Sequence, residues 1–236
     1  KRPTAALDRN LAYLNLVEVL HGYPIDGVVL TTGCDKTTPA MLMGAATVDL
    51  PAIVLSGGPM LDGWWNGQLA GSGTIIWESR RLLAEGTIDY EEFMERVCAS
   101  APSLGHCNTM GTASTMACMV ESLGLSLPGN AAIPAPDSGR KILAHMSGME
   151  IVKMVENDLK LSDILTREAF ENAIMVNAAI GGSTNFVVHL LAIAGRIGID
   201  LSLEDFDKYS ANIPLLANLQ PSGMYFMEDL YYAGGL

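Results

Sequence analysis

Charge is scarce in this chain, and what there is leans one way. Only 17 % of residues are charged, and 14 basic residues stand against 26 acidic ones, for a net charge of −12. That shortage of cations argues against a nucleic-acid backbone or an anionic membrane as partner, while a few placed cations or a divalent metal still suit a small anionic substrate. Cysteine is also sparse. Cys34, Cys98, Cys107 and Cys118 do not make a disulfide framework in 236 residues, which points to a reducing, cytoplasmic setting. No apolar run is long enough to span a membrane. The most apolar region, Ile174 to Ile199, is interrupted by Gly181-Gly182-Ser183-Thr184-Asn185 and carries His189 and Arg196, so it is expected to be two buried helices. No signal peptide, internal repeat, low-complexity tract or linker is expected. Because the chain starts at Lys1 and stops in an apparent turn, Ala233 to Leu236, it is expected to be a piece of something longer.

What is abundant is apolar. Hydrophobic residues make up 49 % of the chain, more than a soluble monomer of this size needs, so part of its surface is expected to be covered by further polypeptide or by a second subunit. Helical stripes are expected over Leu7–Leu20, Ile75–Ala84, Tyr90–Ser100, about Ile142–Leu159, Glu168–Ala179 and Phe186–Ile197. Cys98 is expected on an inner face beside Met94 and Val97, and Cys118 in packing within the helix that ends near Gly124. The region around Trp64 and Trp65 reads as a long irregular loop, and Leu215–Leu219 as a strand.

The chain is organised around Thr31-Thr32-Gly33-Cys34-Asp35-Lys36-Thr37-Thr38-Pro39-Ala40. Gly27–Leu30 before it and Pro51–Leu55 after it read as buried strands, with an apolar helix between them that has Thr38 as N-cap and Pro39 at its first position. Such a βαβ unit places the turn at the carboxyl end of a strand, where open α/β sheets bind ligands, and the helix N-terminus there is expected to draw Cys34 towards thiolate. Cys107 repeats the arrangement, in a Gly-punctuated turn just ahead of a helix, with His106 beside it. Two distant turn cysteines do not make a zinc site, which shows close pairs; they suit a cluster whose ligands come from separate loops, with further ligands outside this chain or a position left open. Ser183 and Thr184 open a helix in the manner of an anion site, though small residues there also make a normal cap, which by themselves they favour.

Cys34-Asp35-Lys36-x-x-Pro39-Ala40-x-x-x-Gly44 resembles the first signature of the dihydroxy-acid and 6-phosphogluconate dehydratase family. Ser56–Met60, Cys107–Ala113, Leu127–Gly129, Ala179–Asn185, Met227–Asp229 and Ala233–Gly235 resemble further family segments in the family's order. Arg2–Asn10 and the Trp64-Trp65 loop look most like the sugar-acid branch, the arabinonate and xylonate dehydratases. The resemblance implies an α/β fold, a mostly parallel sheet flanked by helices, with residues 1–236 forming one metal-binding domain that lacks an upstream segment and a C-terminal domain. It implies a hydro-lyase that dehydrates a 2,3-dihydroxy sugar acid to a 2-keto-3-deoxy acid with an iron–sulfur cluster, [2Fe–2S] or [4Fe–4S], and Mg2+. Cys34 and Cys107 resemble cluster ligands; Asp35 resembles a magnesium ligand, and Lys36 the catalytic lysine that becomes another as its carbamate. Ser183 and Thr184 are the expected substrate-binding residues. A homo-oligomer, dimer or tetramer, is expected.

Two other readings stay open: a dihydroxy-acid dehydratase of branched-chain amino-acid synthesis, and a non-catalytic module that keeps the fold without the metals. In the family the third cluster cysteine and a further acidic ligand lie upstream, and the serine base lies in the C-terminal domain. The 236-residue chain assayed by itself is therefore expected to turn over no sugar acid, and measurable dehydration by it would contradict this.

Overall fold

The computed structural model describes residues 5–236, with side chains described from Leu7 onward. Arg2, Pro3 and Thr4, part of the stretch that resembles the sugar-acid branch, lie outside the described residues. Helix α1 (Ala5–Gly22) leads into β1 (Val28–Thr32), α2 (Thr37–Val48) and β2 (Ala52–Ser56). β1 and β2 pair in parallel, from Val28 opposite Ala52 to Thr32 opposite Ser56, so the βαβ unit forms as its apolar runs require. An antiparallel hairpin follows, β3 (Gly63–Trp65) and β4 (Gln68–Ala70), and then helices α3 (Ile75–Ala84), α4 (Tyr90–Ala99) and α5 (Thr112–Ser122). The remaining helices are α6 (Ser138–Glu156), α7 (Leu161–Ile164), α8 (Arg167–Ile180), α9 (Asn185–Ile197), α10 (Leu203–Ser210) and α11 (Met227–Tyr232). The class is α/β. Among the described residues its parallel sheet is two strands wide, and helices supply most of the structure.

The main core joins the sheet to α2, α5, α8 and α9 through Leu30, Leu42, Val54, Met116, Val120, Phe170, Phe186 and Leu190. Helices α2, α5 and α9 pack against one another, and α6 lies on β1 and β2. Cys118 is fully buried with Met110, Ile180 and Met227 in a second cluster, as expected of a packing residue. Ile174 and Ile193 are buried in the two helices that replace the long apolar run, and among the described residues no helix is long and apolar enough to cross a membrane. The apolar excess shows on the surface as well. Ile142, Met146, Met149 and Val152 lie exposed at helical spacing along α6, and Leu7, Leu11 and Leu14 along α1.

Four local expectations are corrected. α2 begins at Thr37 with Lys36 as its N-cap residue, so Pro39 is the third helical residue, where its missing N–H is still one of those with no partner in the helix. The Trp64-Trp65 stretch is a hairpin, because Asn66 and Gly67, at φ 49° and 78°, make the left-handed pair that a two-residue hairpin turn demands. Leu215–Leu219 is not a strand; its pairing is a single bridge between Leu219 and Tyr225. Cys98 is exposed rather than inward, since α4 packs only loosely and contributes no buried residue.

A buried cation fastens the carboxyl end of β2. Arg140, 7 % exposed, donates from Nη1 to the carbonyls of Ser56 and Asn130, both at 2.9 Å, and from Nη2 to the carbonyl of Ile133. Burial pulls its guanidinium down to about 10, against the pull of Glu121 and Asp137. Arg140→Met fills similar space but leaves these carbonyls without a donor. It is expected to lower unfolding stability by about 3 kcal/mol, read from denaturant midpoints, and no loss would contradict the clamp.

Candidate metal centre

Cys34, Asp35 and Lys36 occupy the turn between β1 and α2. Thr37 shapes that turn: its Oγ1 accepts from the amides of Cys34 at 3.1 Å and Gly33 at 3.4 Å and donates to the Cys34 carbonyl at 3.2 Å. Three chemically different side chains then meet in one place. Cys34 Sγ lies 3.4 Å from Asp35 Oδ1, and Lys36 Nζ lies 3.2 Å from Asp35 Oδ2. Burial is the largest influence on the Cys34 thiol and pushes it up; the Asp35 and Lys36 amides pull it down, while the Asp35 side chain adds to the rise through its hydrogen bond and its charge. The expected drift towards thiolate at a helix N-terminus is therefore reversed. For the Asp35 carboxyl, burial again is the largest single influence, but the Lys36 and Cys34 hydrogen bonds together outweigh it and hold the group below the usual range.

Cys107 sits on a separate turn ahead of α5. Its Sγ is 2.9 Å from Ser72 Oγ, and the same hydroxyl is 3.1 Å from Asn108 Oδ1. One hydroxyl proton serves Asn108 or Cys107, so with Asn108 as its acceptor the thiol is the donor, and a thiolate would reverse the hydroxyl. His106 Nδ1 lies 3.0 Å from the Cys107 carbonyl, and burial draws the ring below its ordinary value. His106 is thus a neutral turn residue.

A single loop touches both cysteine turns. The Gly57 amide donates to the Thr32 carbonyl at 2.6 Å, one residue ahead of Gly33-Cys34, while His106 N donates to the Gly58 carbonyl and Met60 N to the His106 carbonyl, both at 2.9 Å. Gly105, at φ 131°, has no room for a side chain: a Cβ would meet Met60 N at 2.5 Å. The third predicted segment joins from α9. Ser183 Oγ is 2.9 Å from Thr112 Oγ1, Ser183 N donates to Thr115 Oγ1 at 2.9 Å, and Asn185 Nδ2 donates to Thr112 Oγ1 at 2.9 Å. Thr184 is exposed, with no side-chain bond to the helix it opens. Ser183 is consequently occupied with holding α9 to α5, while Thr184 stands exposed at the head of α9.

Sequence reasoning passed over three residues. Ser72 bonds Cys107 from the loop after β4, a contact no spacing reveals. His189, 4 % exposed in α9, lies within electrostatic reach of Lys36 and Asp35, and burial first, then the charges of Lys36 and Arg9, draw it down to about 4. Asp62, after β2, receives its neighbours from the far end of the chain: its amide donates to Glu228 Oε2 at 2.7 Å. Burial pushes the Asp62 carboxyl up to about 7, with Asp229 and Glu228 adding to it against a hydrogen bond from Asn108. For His189 the available signal was a polar residue spaced into the buried face of an apolar helix.

A family model described as dihydroxy-acid/6-phosphogluconate dehydratase N-terminal matches residues 2–236. The chain is 60 % identical over 235 residues to a D-xylonate dehydratase of Caulobacter vibrioides, which covers all of this chain and 39 % of the relative. It is 57 % identical over 235 residues to an L-arabinonate dehydratase of Rhizobium leguminosarum bv. trifolii, again all of this chain and 41 % of the relative. Against a dihydroxy-acid dehydratase of Pyrococcus furiosus it is 49 % identical over 214 residues, 91 % of this chain and 39 % of the relative. The chain thus spans about two fifths of the length of these curated relatives.

The raised Asp62 carboxyl makes stability depend on pH. Its folded value lies above the ordinary one, so its favourable contribution is complete below 3.8 and is lost as pH rises to about 7. Asp62→Asn is expected to remove that loss, raising stability at about pH 8 relative to about pH 4 by up to about 4 kcal/mol, less where solvent reaches the group. Unfolding curves at the two pH values that shift equally in both proteins would contradict it.

Proposed function

We propose, from the premise that this chain belongs to the dihydroxy-acid/6-phosphogluconate dehydratase family, that it forms the metal-binding α/β domain of a sugar-acid dehydratase. The whole protein would remove water from a 2,3-dihydroxy sugar acid to give a 2-keto-3-deoxy acid. Residues 1–236 are read as one such domain, completed by further segments and working in a homo-oligomer. The observation that carries this reading is the turn in which thiol, carboxylate and amine stand 3.4 and 3.2 Å apart, joined through Gly57–Met60 to a second cysteine turn.

The donors suit an iron–sulfur cluster and magnesium. Cys34 and Cys107 offer soft sulfur on two loops, which an iron–sulfur cluster takes as thiolates. Asp35 offers hard oxygen, which suits magnesium, whereas an amine such as Lys36 does not until it is converted to a carbamate. In the structure the Cys34 thiol is raised and leans on Asp35, an arrangement that a cation on either group would relieve. Among the described residues no three His, Cys, Asp or Glu side chains form a metal site by themselves, so the chain supplies part of the ligand set. When bound, the cluster would supply Lewis acidity towards the departing 3-hydroxyl, and magnesium towards the acid's carboxylate and 2-hydroxyl.

The chain's own residues would bind and orient. Asp35 and Lys36, side by side, fix where the carboxylate end of the substrate sits. Thr184, exposed at the head of α9, would hydrogen-bond substrate oxygen, with Ser183 bracing it against Thr112. Ser72, against Cys107 Sγ, would donate to the thiolate and keep it ligating. The names of the relatives at 60 % and 57 % identity favour a pentonate over a branched dihydroxy acid.

The test is the full-length protein purified without oxygen, assayed with xylonate, arabinonate and dihydroxyisovalerate with and without magnesium, alongside visible and EPR spectra. Turnover of a pentonate that needs magnesium, with a cluster signal that Cys107→Ser abolishes, is expected. Active protein with no cluster signal would sink the mechanism, and preference for dihydroxyisovalerate would move the substrate to the branched-chain class.

A further inference from the structure

His189 is left without a task by the chemistry above, yet it is held in a defined state. Arg9 Nη1 lies 3.3 Å from its Nδ1. A guanidinium has only donors, so Nδ1 accepts and the neutral ring carries its proton on Nε2. That Nε2–H is buried and has no partner among the described residues. A buried donor without an acceptor is costly and rare in a folded protein.

The surroundings explain why nothing accepts it. α9 packs on α2, and the ring feels the charges of Lys36 and Asp35 at the head of that helix. Lys36 and Arg9 are donors only. The two Asp35 oxygens bond Cys34 and Lys36, Oδ1 with the thiol and Oδ2 with the amine, and neither bonds the ring. Among the described residues no oxygen accepts from Nε2, and conversion of Lys36 to a carbamate creates two anionic ones. In that step the neutral amine's lone pair attacks the carbon of carbon dioxide, the N–C bond forms as one C–O π pair moves onto oxygen, and a proton leaves nitrogen for solvent. A group with donors alone becomes one with acceptors.

Resting on the reading of Lys36 as a carbamate, we propose that His189 is a positioning residue whose Nε2–H donates to a carbamate oxygen on Lys36, with Arg9 holding the ring in the tautomer that allows it. The carbamate then stands beside Asp35 with its orientation fixed from the α9 side, which prepares the oxygen pair for a hard cation.

The test uses the full-length protein equilibrated with 13C-bicarbonate and magnesium. The 13C carbamate resonance and the magnesium affinity are measured for wild type, His189→Phe, which keeps a ring and loses the donor, and His189→Gln, whose amide N–H reaches the position of Nε2. His189→Phe is expected to weaken magnesium binding about ten- to a hundredfold and to shrink the carbamate signal, with His189→Gln restoring most of both. Wild-type signal and affinity in His189→Phe, or an equal loss in His189→Gln, would overturn the assignment. Should His189→Phe not fold, Arg9→Ala serves, since freeing Nδ1 lets the proton move: a several-fold loss is expected, and no loss overturns it. Absence of the resonance from wild type itself would instead overturn the reading of Lys36 on which the assignment rests.

Discussion

The centre of this molecule depends on backbone passing close to backbone at Gly57-Gly58. Gly57 reaches the end of β1 through its amide, and Gly58 lies so near the loop ahead of α6 that a Cβ there would meet Ile133 O at 2.6 Å and Ala135 N at 2.9 Å. Its φ of 87° would strain any other residue as well. On the other side Gly105 makes the same allowance for Pro59 and Met60. The loop after β2 is therefore the common neighbour of both cysteine turns, and Arg140 holds its start by binding the Ser56 carbonyl. A site assembled from distant loops needs such a junction, because nothing in either turn alone sets its distance from the other.

Competing electrostatic effects meet at the Cys34 turn. The N-terminus of α2 favours negative charge within its first turn, an effect worth about 0.3–1 kcal/mol at an exposed site. Partial desolvation of the sulfur, on a residue that is exposed overall, and the adjacent Asp35 carboxylate act the other way and prevail, so the thiol is raised. Asp35 itself stays anionic because Lys36 and Cys34 both donate to it. The neutral His189 and the cationic Arg9 bound the same corner. The turn is a set of donors gathered around one carboxylate.

How much of this was legible beforehand varies with the range of the interaction involved. The βαβ unit and the helix spans were readable because period and branched residues act within a few positions. The β3–β4 hairpin was readable too, in Asn66-Gly67, but the surrounding glycines and tryptophans masked that signal. Cys98 misled because an amphipathic stripe reveals which face is apolar and not whether anything covers it. Leu215–Leu219 has the composition of a strand and no sheet edge to join.

By itself the sequence determined which residue types stand together at the turns. Cys34, Asp35 and Lys36 are adjacent in the chain, and Cys107 precedes a helix start, so their chemistry and the family resemblance were available from order alone. Only the tertiary structure decided which of them share surroundings and in what protonation state. Ser72 against Cys107, Thr112 against Ser183, and Arg9 against His189 all join residues far apart in the chain. The physical reason is that burial and the fields of packed neighbours depend on distances through space, and local propensity carries no information about those distances.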